Sequence, residues 1–295
     1  MNYKVGIDVG GTKVNIGVID KDGFVLGKKR LLISNITNFV SAATIETKTL
    51  LKELGIDKKD VSGCGVGVPG TVRADQRTLV KIPNLSILPE NLADELEKEL
   101  GISVRLVQDA KGAGYGEYVF GAGKGAKALL CFTLGTGIGM GIVLNGEIYQ
   151  GGLGSAGEIG HIPLGKDRKC GCGKVGCVEK YSAGGGLDIT ARELLGDGQT
   201  ATDLFESAKQ GNQKAKEYIA EAVKMLGTAI TSAVNLFSPD VVLFSGGLSE
   251  RYDEYVKPII EFVKEHCYDG GALPRFELAK LGSDAPLIGS ASIAD

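Results

Sequence analysis

Asp8-Val9-Gly10-Gly11-Thr12-Lys13 closes the first apolar run of the chain, residues 5–9, and leads into the second, residues 14–20. A strand that ends in two adjacent glycines turns tightly and presents bare backbone N–H groups, a cradle for an anion. Thr12 adds a hydroxyl donor, Lys13 a cation, and Asp8 a carboxylate able to hold a hydrated Mg2+. The same residues also read as a hairpin that happens to be glycine-rich. A second copy bears on the choice. Thr133-Leu134-Gly135-Thr136-Gly137-Ile138-Gly139 occupies the equivalent turn after another apolar run, residues 129–134. Strand, Gly-Thr turn, strand, Asp- or Asn-type turn and strand occur in that order twice. The first set is 5–9, 14–20 and 24–32, with Asp22-Gly23 as its second turn; the second is 129–134, 139–144 and 147–149, with Asn145-Gly146. Gly10 matches Gly135 and Asp20 matches Asn145 at one common offset. This predicts two homologous α/β halves, each opened by a three-strand antiparallel meander.

Working outward, residues 38–54 read as a helix ended by Gly55, and 64–68 as a glycine-rich strand stopped by Pro69-Gly70. Residues 91–100 form a helix, with Leu92, Leu96 and Leu100 at helical spacing and Gly101 as its stop. A strand at 104–107 and a helix at 110–120 follow. Gly121-Ala122-Gly123-Lys124-Gly125 reads as a surface connection between halves. A P-loop is disfavoured there, because Ala126 replaces the required Lys-Ser/Thr ending and no strand feeds it. The second half continues through a glycine-rich stretch at 151–186, a long helix at 213–237, a buried strand at 241–245 and a helical segment from 287 to the end. We expect an N-terminal α/β domain at 1–120 and a C-terminal α/β domain at 121–284, with the helix in 285–295 packing back on the first. Gly184-Gly185-Gly186 and the 121–125 loop are candidates for hinge or linker positions.

Glycine accounts for 45 of the 295 residues, roughly twice average usage. With 43% apolar and 23% charged residues and no G-x-y period, the excess marks neither disorder nor a collagen-like chain. It marks turns, close backbone approaches and ligand cradles. The net charge of −3 leaves no electrostatic footprint for nucleic acid or anionic lipid. No run of about 18 apolar residues suggests a membrane span. Met1-Asn2-Tyr3-Lys4 enters the first strand with no signal-peptide pattern. A cytoplasmic protein is expected, with its six cysteines outside any disulfide framework. Cys64 and Cys131 lie in strand-like runs and read as core residues, and Cys267, in a helical stretch, reads the same way.

Three further constellations can carry chemistry. Ser245-Gly246-Gly247 ends the strand at 241–245, where a glycine pair admits the flat approach of a ring or ribose, or serves only to start a helix. Gln108-Asp109-Ala110 stands at a strand-to-helix junction. Its carboxylate is either an N-cap, which the residues alone favour, or a catalytic base at the cleft edge. Glu158-Ile159-Gly160-His161 precedes Cys170-Gly171-Cys172-Gly173-Lys174-Val175-Gly176-Cys177-Val178-Glu179. His161, Cys170, Cys172 and Cys177 make a Cys3His set for a closed structural zinc site, with glycines that let the loop fold back on the metal. A reactive or fortuitous thiol cluster is the alternative. The other histidine, His266, has no companions. The two glycine turns, one on each half, would face each other across a cleft and hold a polyphosphate between domains.

Together these residues resemble the ROK family of bacterial sugar kinases, regulators and related proteins, over the whole length. Residues 8–13 are similar to the family's first phosphate motif and 134–139 to its second. Residues 157–161 with 170–173 and 176–179 are similar to its signature. The resemblance implies the actin-like ATPase fold, two ribonuclease-H-like domains around a cleft, and an ATP-dependent kinase acting on the 6-hydroxyl of an aldohexose. It implies that Gly10, Gly11, Thr12, Lys13, Gly135, Thr136 and Gly137 hold the ATP phosphates, with Mg2+ at Asp8. Gly246 and Gly247 would flank the adenosine. Asp109 would be the base, which overturns the N-cap reading. Gly70, Asn84, Gln108, Glu158, His161 and Glu179 would meet the sugar together with Asp109, and His161 would also bind Zn2+ with the three cysteines. A homodimer is implied as well. Most family kinases carry Asn where this chain has Gln108, and the extra methylene turns the expectation away from glucose. Residues 77–79, 83–85, 161–165 and 235–240 are similar to the allose kinase branch, so D-allose is the expected substrate. Glucose, fructose, mannose and N-acetylhexosamines are the alternatives. The family's transcriptional regulators carry an N-terminal helix-turn-helix domain, for which a strand starting by residue 4 leaves no room. A sugar-binding protein without catalysis is opposed by Asp109 and both turns.

Overall fold

The computed structural model describes residues 3–81, 85–268 and 270–294. The first half runs β1 (Tyr3–Val9), β2 (Lys13–Asp20), β3 (Val25–Leu32), α1 (Phe39–Glu53), β4 (Val61–Val68), the short strands β5 (Thr71–Val72) and β6 (Leu79–Lys81), α2 (Leu92–Leu100), β7 (Val104–Gln108) and α3 (Asp109–Phe120). The second runs β8 (Ala128–Leu134), β9 (Ile138–Leu144), β10 (Glu147–Ile148), α4 (Glu179–Ser182), α5 (Gly184–Leu195), α6 (Ala201–Lys209), α7 (Gln213–Phe237), β11 (Val241–Ser245), α8 (Lys257–His266), β12 (Arg275–Leu278) and α9 (Ala285–Ser292).

The strand order is β3-β2-β1-β4-β7 in one sheet and β10-β9-β8-β11-β12 in the other. One succession therefore occurs twice: the three strands of a meander, then two strands that continue the sheet in parallel. This duplicated α/β architecture is that of the actin-like ATPase fold. Local chemistry sets its turns and helix ends. Asn145 and Gly146 both hold positive φ, at 52° and 91°, which gives the β9–β10 turn the twist a two-residue hairpin needs. The Asn38 side chain accepts the Ser41 N–H at 2.9 Å to cap α1, and Gly101 ends α2 at a φ of 65°.

Period-two alternation places two different surfaces on the central strands. On one face Val5, Ile7, Val66 and Val68 join Phe39, Leu50, Leu92 and Leu96 in a single core with α1 and α2. The other face carries Gly6, Gly65 and Gly67, and here α9 packs. A β-carbon on Gly65 would overlap the backbone carbonyl of Ser290, and one on Gly6 that of Leu287. The close approach continues into α3, where the Gly112 carbonyl fills the place of a β-carbon on Gly289. A sizeable part of the glycine excess thus lets one helix lie directly on a sheet. Gly184-Gly185-Gly186, expected as a hinge or linker, is instead the first turn of α5; tertiary contacts override glycine's low helix propensity.

By compactness the chain divides into two units. One comprises Met1–Gly125, Gly141–Gly157 and Lys280–Asp295, the other Ala126–Met140 and Glu158–Ala279. Among the described residues no helix is long and apolar enough to cross a membrane.

Candidate active site

β1, β4 and β7 are parallel neighbours, so their carboxyl ends share one edge of the first sheet. That edge is where open α/β sheets bind ligands. β1 delivers Asp8 and the Gly10-Gly11-Thr12 turn, β4 runs into Pro69-Gly70, and β7 ends at Gln108 with Asp109 next in line. In register Asp8 lies beside Gly67, and Val68 beside Gln108. In the turn the Gly10 N–H donates to the Lys13 carbonyl at 2.9 Å, while Gly11, Thr12 and Lys13 are exposed. Gly11 lies outside the left-handed region, and a β-carbon there would meet nothing within 4 Å. The fold itself does not require glycine at that position, which leaves its backbone open to approach.

Asp8 is half-buried. Its cross-strand partner Asn15 donates to Oδ2 at 3.1 Å and is itself held through Oδ1 by Arg30 at 3.2 Å. Burial raises the Asp8 carboxyl above the ordinary aspartate value, opposed by the Asn15 bond and the Lys13 charge. A carboxylate kept under a net desolvation penalty is suited to receive a cation. For Asp109 the N-cap reading is corrected. Strand pairing continues through Gln108, which therefore takes the cap position and makes no side-chain cap bond. Asp109 lies within the first turn of α3, with Oδ1 accepting the Ala110 N–H at 2.7 Å, and its side chain is half-buried at the sheet edge.

The second sheet repeats the arrangement. β8 and β11 are parallel neighbours with Ser245 beside Thr133. The Gly135-Thr136-Gly137 turn follows one and Gly246-Gly247 the other. A β-carbon on Gly246 would lie 2.5 Å from the Leu134 carbonyl oxygen. Gly135 and Gly247, like Gly11, lie outside the left-handed region with nothing within 4 Å of a β-carbon.

His161, Cys170, Cys172 and Cys177 bring one ligand atom each to within 4.8 Å of one another. Tetrahedral zinc, with Zn–S near 2.3 Å and Zn–N near 2.0–2.1 Å, separates sulfur pairs by about 3.8 Å and a sulfur–nitrogen pair by about 3.6 Å. Cys172 Sγ and Cys177 Sγ stand 3.6 Å apart, as do Cys170 Sγ and His161 Nδ1. The sulfur spacing is far beyond a disulfide bond of about 2.05 Å. The donor set fits zinc. The backbone N–H of Lys174 lowers the Cys172 thiol, whereas burial and the two neighbouring thiols push Cys177 up to about 12. His161 Nε2 faces Glu158 Oε2 at 3.6 Å, so one imidazole links the thiol cluster to a carboxylate, as histidine ligands characteristically do. Glu179, the first residue of α4, accepts the Ile138 N–H through Oε2 at 3.1 Å. Asn84 lies outside the described residues.

The model of the ROK family matches residues 4–295. This chain belongs to the ROK family. It is a hexokinase-type sugar kinase of that family. It is 34% identical over 312 residues to a glucokinase of Halalkalibacterium halodurans, covering 97% of this chain and 93% of that one. A ROK hexokinase from Thermus thermophilus superposes with a TM-score of 0.86 at 30% identity, covering 99% of this chain and 97% of that one. A ROK glucokinase from Streptomyces griseus, solved with glucose and AMPPNP, superposes with a TM-score of 0.79 at 30% identity, covering 99% of both chains.

Several residues of this ROK kinase that support the site escape sequence reasoning. Lys111, fully buried in α3, donates to the Gly154 carbonyl at 2.6 Å and to Gln150 Oε1 at 3.1 Å. It ties the segment that leads to Glu158 to the helix that begins with Asp109. Tyr181 accepts the N–H groups of Lys166, Asp167 and Arg168 at 3.1, 3.0 and 2.9 Å and donates to Asp167 Oδ1 at 2.8 Å. Arg168 donates to the Lys180 and Gly186 carbonyls and pairs with Glu193. Both fasten the chain just ahead of Cys170. Their partners are distant in sequence, and no local pattern marks them.

Proposed function

We propose that this ROK kinase transfers the γ-phosphoryl group of ATP to the 6-hydroxyl of an aldohexose, with D-allose as its preferred sugar. The observation that carries the reading is the shared edge of the first sheet. A glycine turn suited to phosphate follows β1 and a carboxylate suited to take a proton follows β7, with β4 and Gly70 between them. Phosphoryl transfer is catalysed mainly by positioning and electrostatics. The turns Gly10-Gly11-Thr12-Lys13 and Gly135-Thr136-Gly137 hold the phosphates, with the N–H groups of Gly10 and Gly135 bonded within their own turns and those of Gly11, Thr136 and Gly137 left to face the ligand. Gly246 and Gly247 leave room for the adenosine. Asp8 is the residue to hold Mg2+, which when bound supplies charge neutralisation at the phosphates. Asp109 orients the attacking hydroxyl and accepts its proton at a carboxylate oxygen. Gly70, Asn84, Gln108, Glu158, His161 and Glu179 hold the sugar. Zinc on His161, Cys170, Cys172 and Cys177 pins the loop that bears Glu158 and Glu179 and takes no part in the chemistry.

Gln108 supports the choice of allose. Two other segments of the allose-branch likeness have structural duties: Arg77 pairs with Asp94 and Glu97 on α2, and Asp240 accepts the N–H groups of Lys127 and Ala128 at the start of β8. Gln108 remains as the departure beside the base. The family pattern further supports a homodimer acting in the cytoplasm. Release of ADP, followed over allose, glucose, mannose, fructose, N-acetylglucosamine and N-acetylmannosamine, tests the reading. Allose should be turned over best, and faster turnover of glucose would overturn that choice. Asp109→Ala should abolish transfer while sugar binding remains measurable; turnover at a tenth of wild type would refute Asp109 as the base.

A further inference from the structure

We propose that the start of α5 at Gly184-Gly185, together with Glu179, is a positioning clamp that aims the second phosphate turn at the nucleotide. The proposal rests on the kinase reading above. Gly184 N–H donates to the Gly135 carbonyl at 2.8 Å, and Gly185 N–H to the Thr136 carbonyl at 3.1 Å. In a planar trans peptide the C=O and the following N–H point in opposite directions. Drawing those two carbonyls toward α5 turns the N–H groups of Thr136 and Gly137 away from it. The neighbouring donors are already engaged: Gly135 N–H with the Gly137 carbonyl at 3.0 Å, and Ile138 N–H with Glu179 Oε2 at 3.1 Å. Of the four N–H groups from 135 to 138, two are held by the protein and two are presented together on the side away from the helix. A pair of convergent backbone donors is the element of an anion cradle.

The approach is as close as the backbone allows. A β-carbon on Gly184 would sit 2.9 Å from the Gly135 carbonyl oxygen, and one on Gly185 2.9 Å from that of Thr136. This is the reason for glycine at a helix start, where it otherwise weakens the helix. The clamp is also continuous with the thiol loop. Glu179 follows Cys177 by two residues, and the Lys180 N–H donates to the Cys177 carbonyl at 2.9 Å. On the other side of the same strand start, Gly160 lies so near the Ile138 carbonyl that a β-carbon would overlap it. Segments next to two of the zinc-binding side chains, His161 and Cys177, therefore both rest on Ile138. The loop that serves the sugar is thereby joined to the turn that serves the phosphates.

The test is calorimetric titration of the full chain with a non-hydrolysable ATP analogue and Mg2+, and separately with sugar alone, for wild type, Gly184→Ala and Gly186→Ala. A β-carbon on Gly186 would meet the Lys180 backbone at 2.6 Å and the Glu179 carbonyl oxygen at 2.7 Å without touching the turn, so this variant strains the same helix start but leaves the Gly184 and Gly185 contacts with Gly135 and Thr136 clear. Gly184→Ala should weaken the analogue at least tenfold and change sugar binding less than twofold. Gly186→Ala should lower the melting temperature without that selective loss. Analogue affinity of Gly184→Ala within twofold of wild type, or an equal loss in Gly186→Ala, would overturn the clamp. If Gly184→Ala does not fold, Gly185→Ala is titrated in its place with the same expectations. Wild-type protein that binds no analogue would instead overturn the kinase reading, and the clamp with it.

Discussion

Replacing Glu117 by glutamine should cost the protein about 2–4 kcal/mol of stability. Glu117 is fully buried in α3. Its Oε2 accepts the Ala122 N–H at 2.9 Å, and its Oε1 accepts those of Lys280 and Leu281 at 2.9 and 2.7 Å. Both oxygens face donors only, so a carboxylate satisfies the site and an amide does not. Glutamine must point its NH2 at one side. Turning it toward Ala122 loses one bond, whereas the other orientation loses two, so the first prevails. A hydrogen bond to a charged group contributes about 1.5–3 kcal/mol, and a buried donor left unpaired adds about 1–3 kcal/mol of overlapping penalty. The two remaining bonds also lose their charge assistance. At about 2–4 °C per kcal/mol for a large domain, the melting temperature should fall by roughly 4–16 °C. Thermal unfolding of wild type and Glu117→Gln at one pH and concentration measures it. The three N–H groups belong to segments near the points where the chain leaves the first compact unit, after Gly125, and re-enters it, at Lys280. Amide exchange should therefore rise at 122 and at 280–281 together, with β1 unchanged. A melting temperature within 1 °C of wild type would refute the reasoning.

Asp8→Asn should raise stability near neutral pH while reducing Mg2+-dependent turnover. Burial raises the native carboxyl above its ordinary value of 3.8, so between that value and the raised one the folded state binds more protons and stability falls as pH increases; asparagine removes that slope, and a variant less stable than wild type at pH 7 would contradict it. Gly65→Ala places a β-carbon in the Ser290 carbonyl and should cost at least about 1–3 kcal/mol by urea titration. Gly11→Ala, with open space around it, should leave stability within about 1 kcal/mol of wild type but weaken nucleotide binding; the reverse ranking of the two variants would refute the division drawn between them. Chelation of zinc, or Cys177→Ser, should lower the melting temperature and raise the sugar KM more than it lowers kcat. A metal-stripped protein unchanged in both would remove zinc from the account.

The duplication could be read before the fold was seen because its signals are local. A strand that must turn on glycine, twice and in the same order, needs no knowledge of what packs against it. Helix ends at Asn38 and Gly101 are local for the same reason. The carboxyl-edge placement of Asp8, Gly70 and Asp109 follows from parallel pairing, which the sequence implies only through the fold. Asp109 shows where local reasoning stops. A carboxylate at a strand-to-helix junction suggests a cap, yet one extra residue of pairing with Val68 moves the cap to Gln108. Glu117, Lys111 and Tyr181 were invisible because their partners lie elsewhere in the chain: Glu117 meets 280–281, Lys111 meets 150 and 154, and Tyr181 meets 166–168.

Glycine composition alone joins two populations that the packing separates. At Gly6, Gly65, Gly67 and Gly289 the protein itself fills the place of a β-carbon, and α9 explains them. Gly11, Gly135 and Gly247 have neither positive φ nor a neighbour within 4 Å of a β-carbon. Gly152 and Gly171 share that condition, and Gly171 stands between two cysteines of the thiol cluster. No neighbour among the described residues accounts for glycine at 11, 135 and 247, and all three follow the carboxyl end of a strand. The fold would tolerate a β-carbon at these positions, which agrees with the proposal that a nucleotide approaches the backbone there. Gly184 and Gly185 form a third kind, in which protein backbone approaches the turn closely in order to hold its donors toward a ligand.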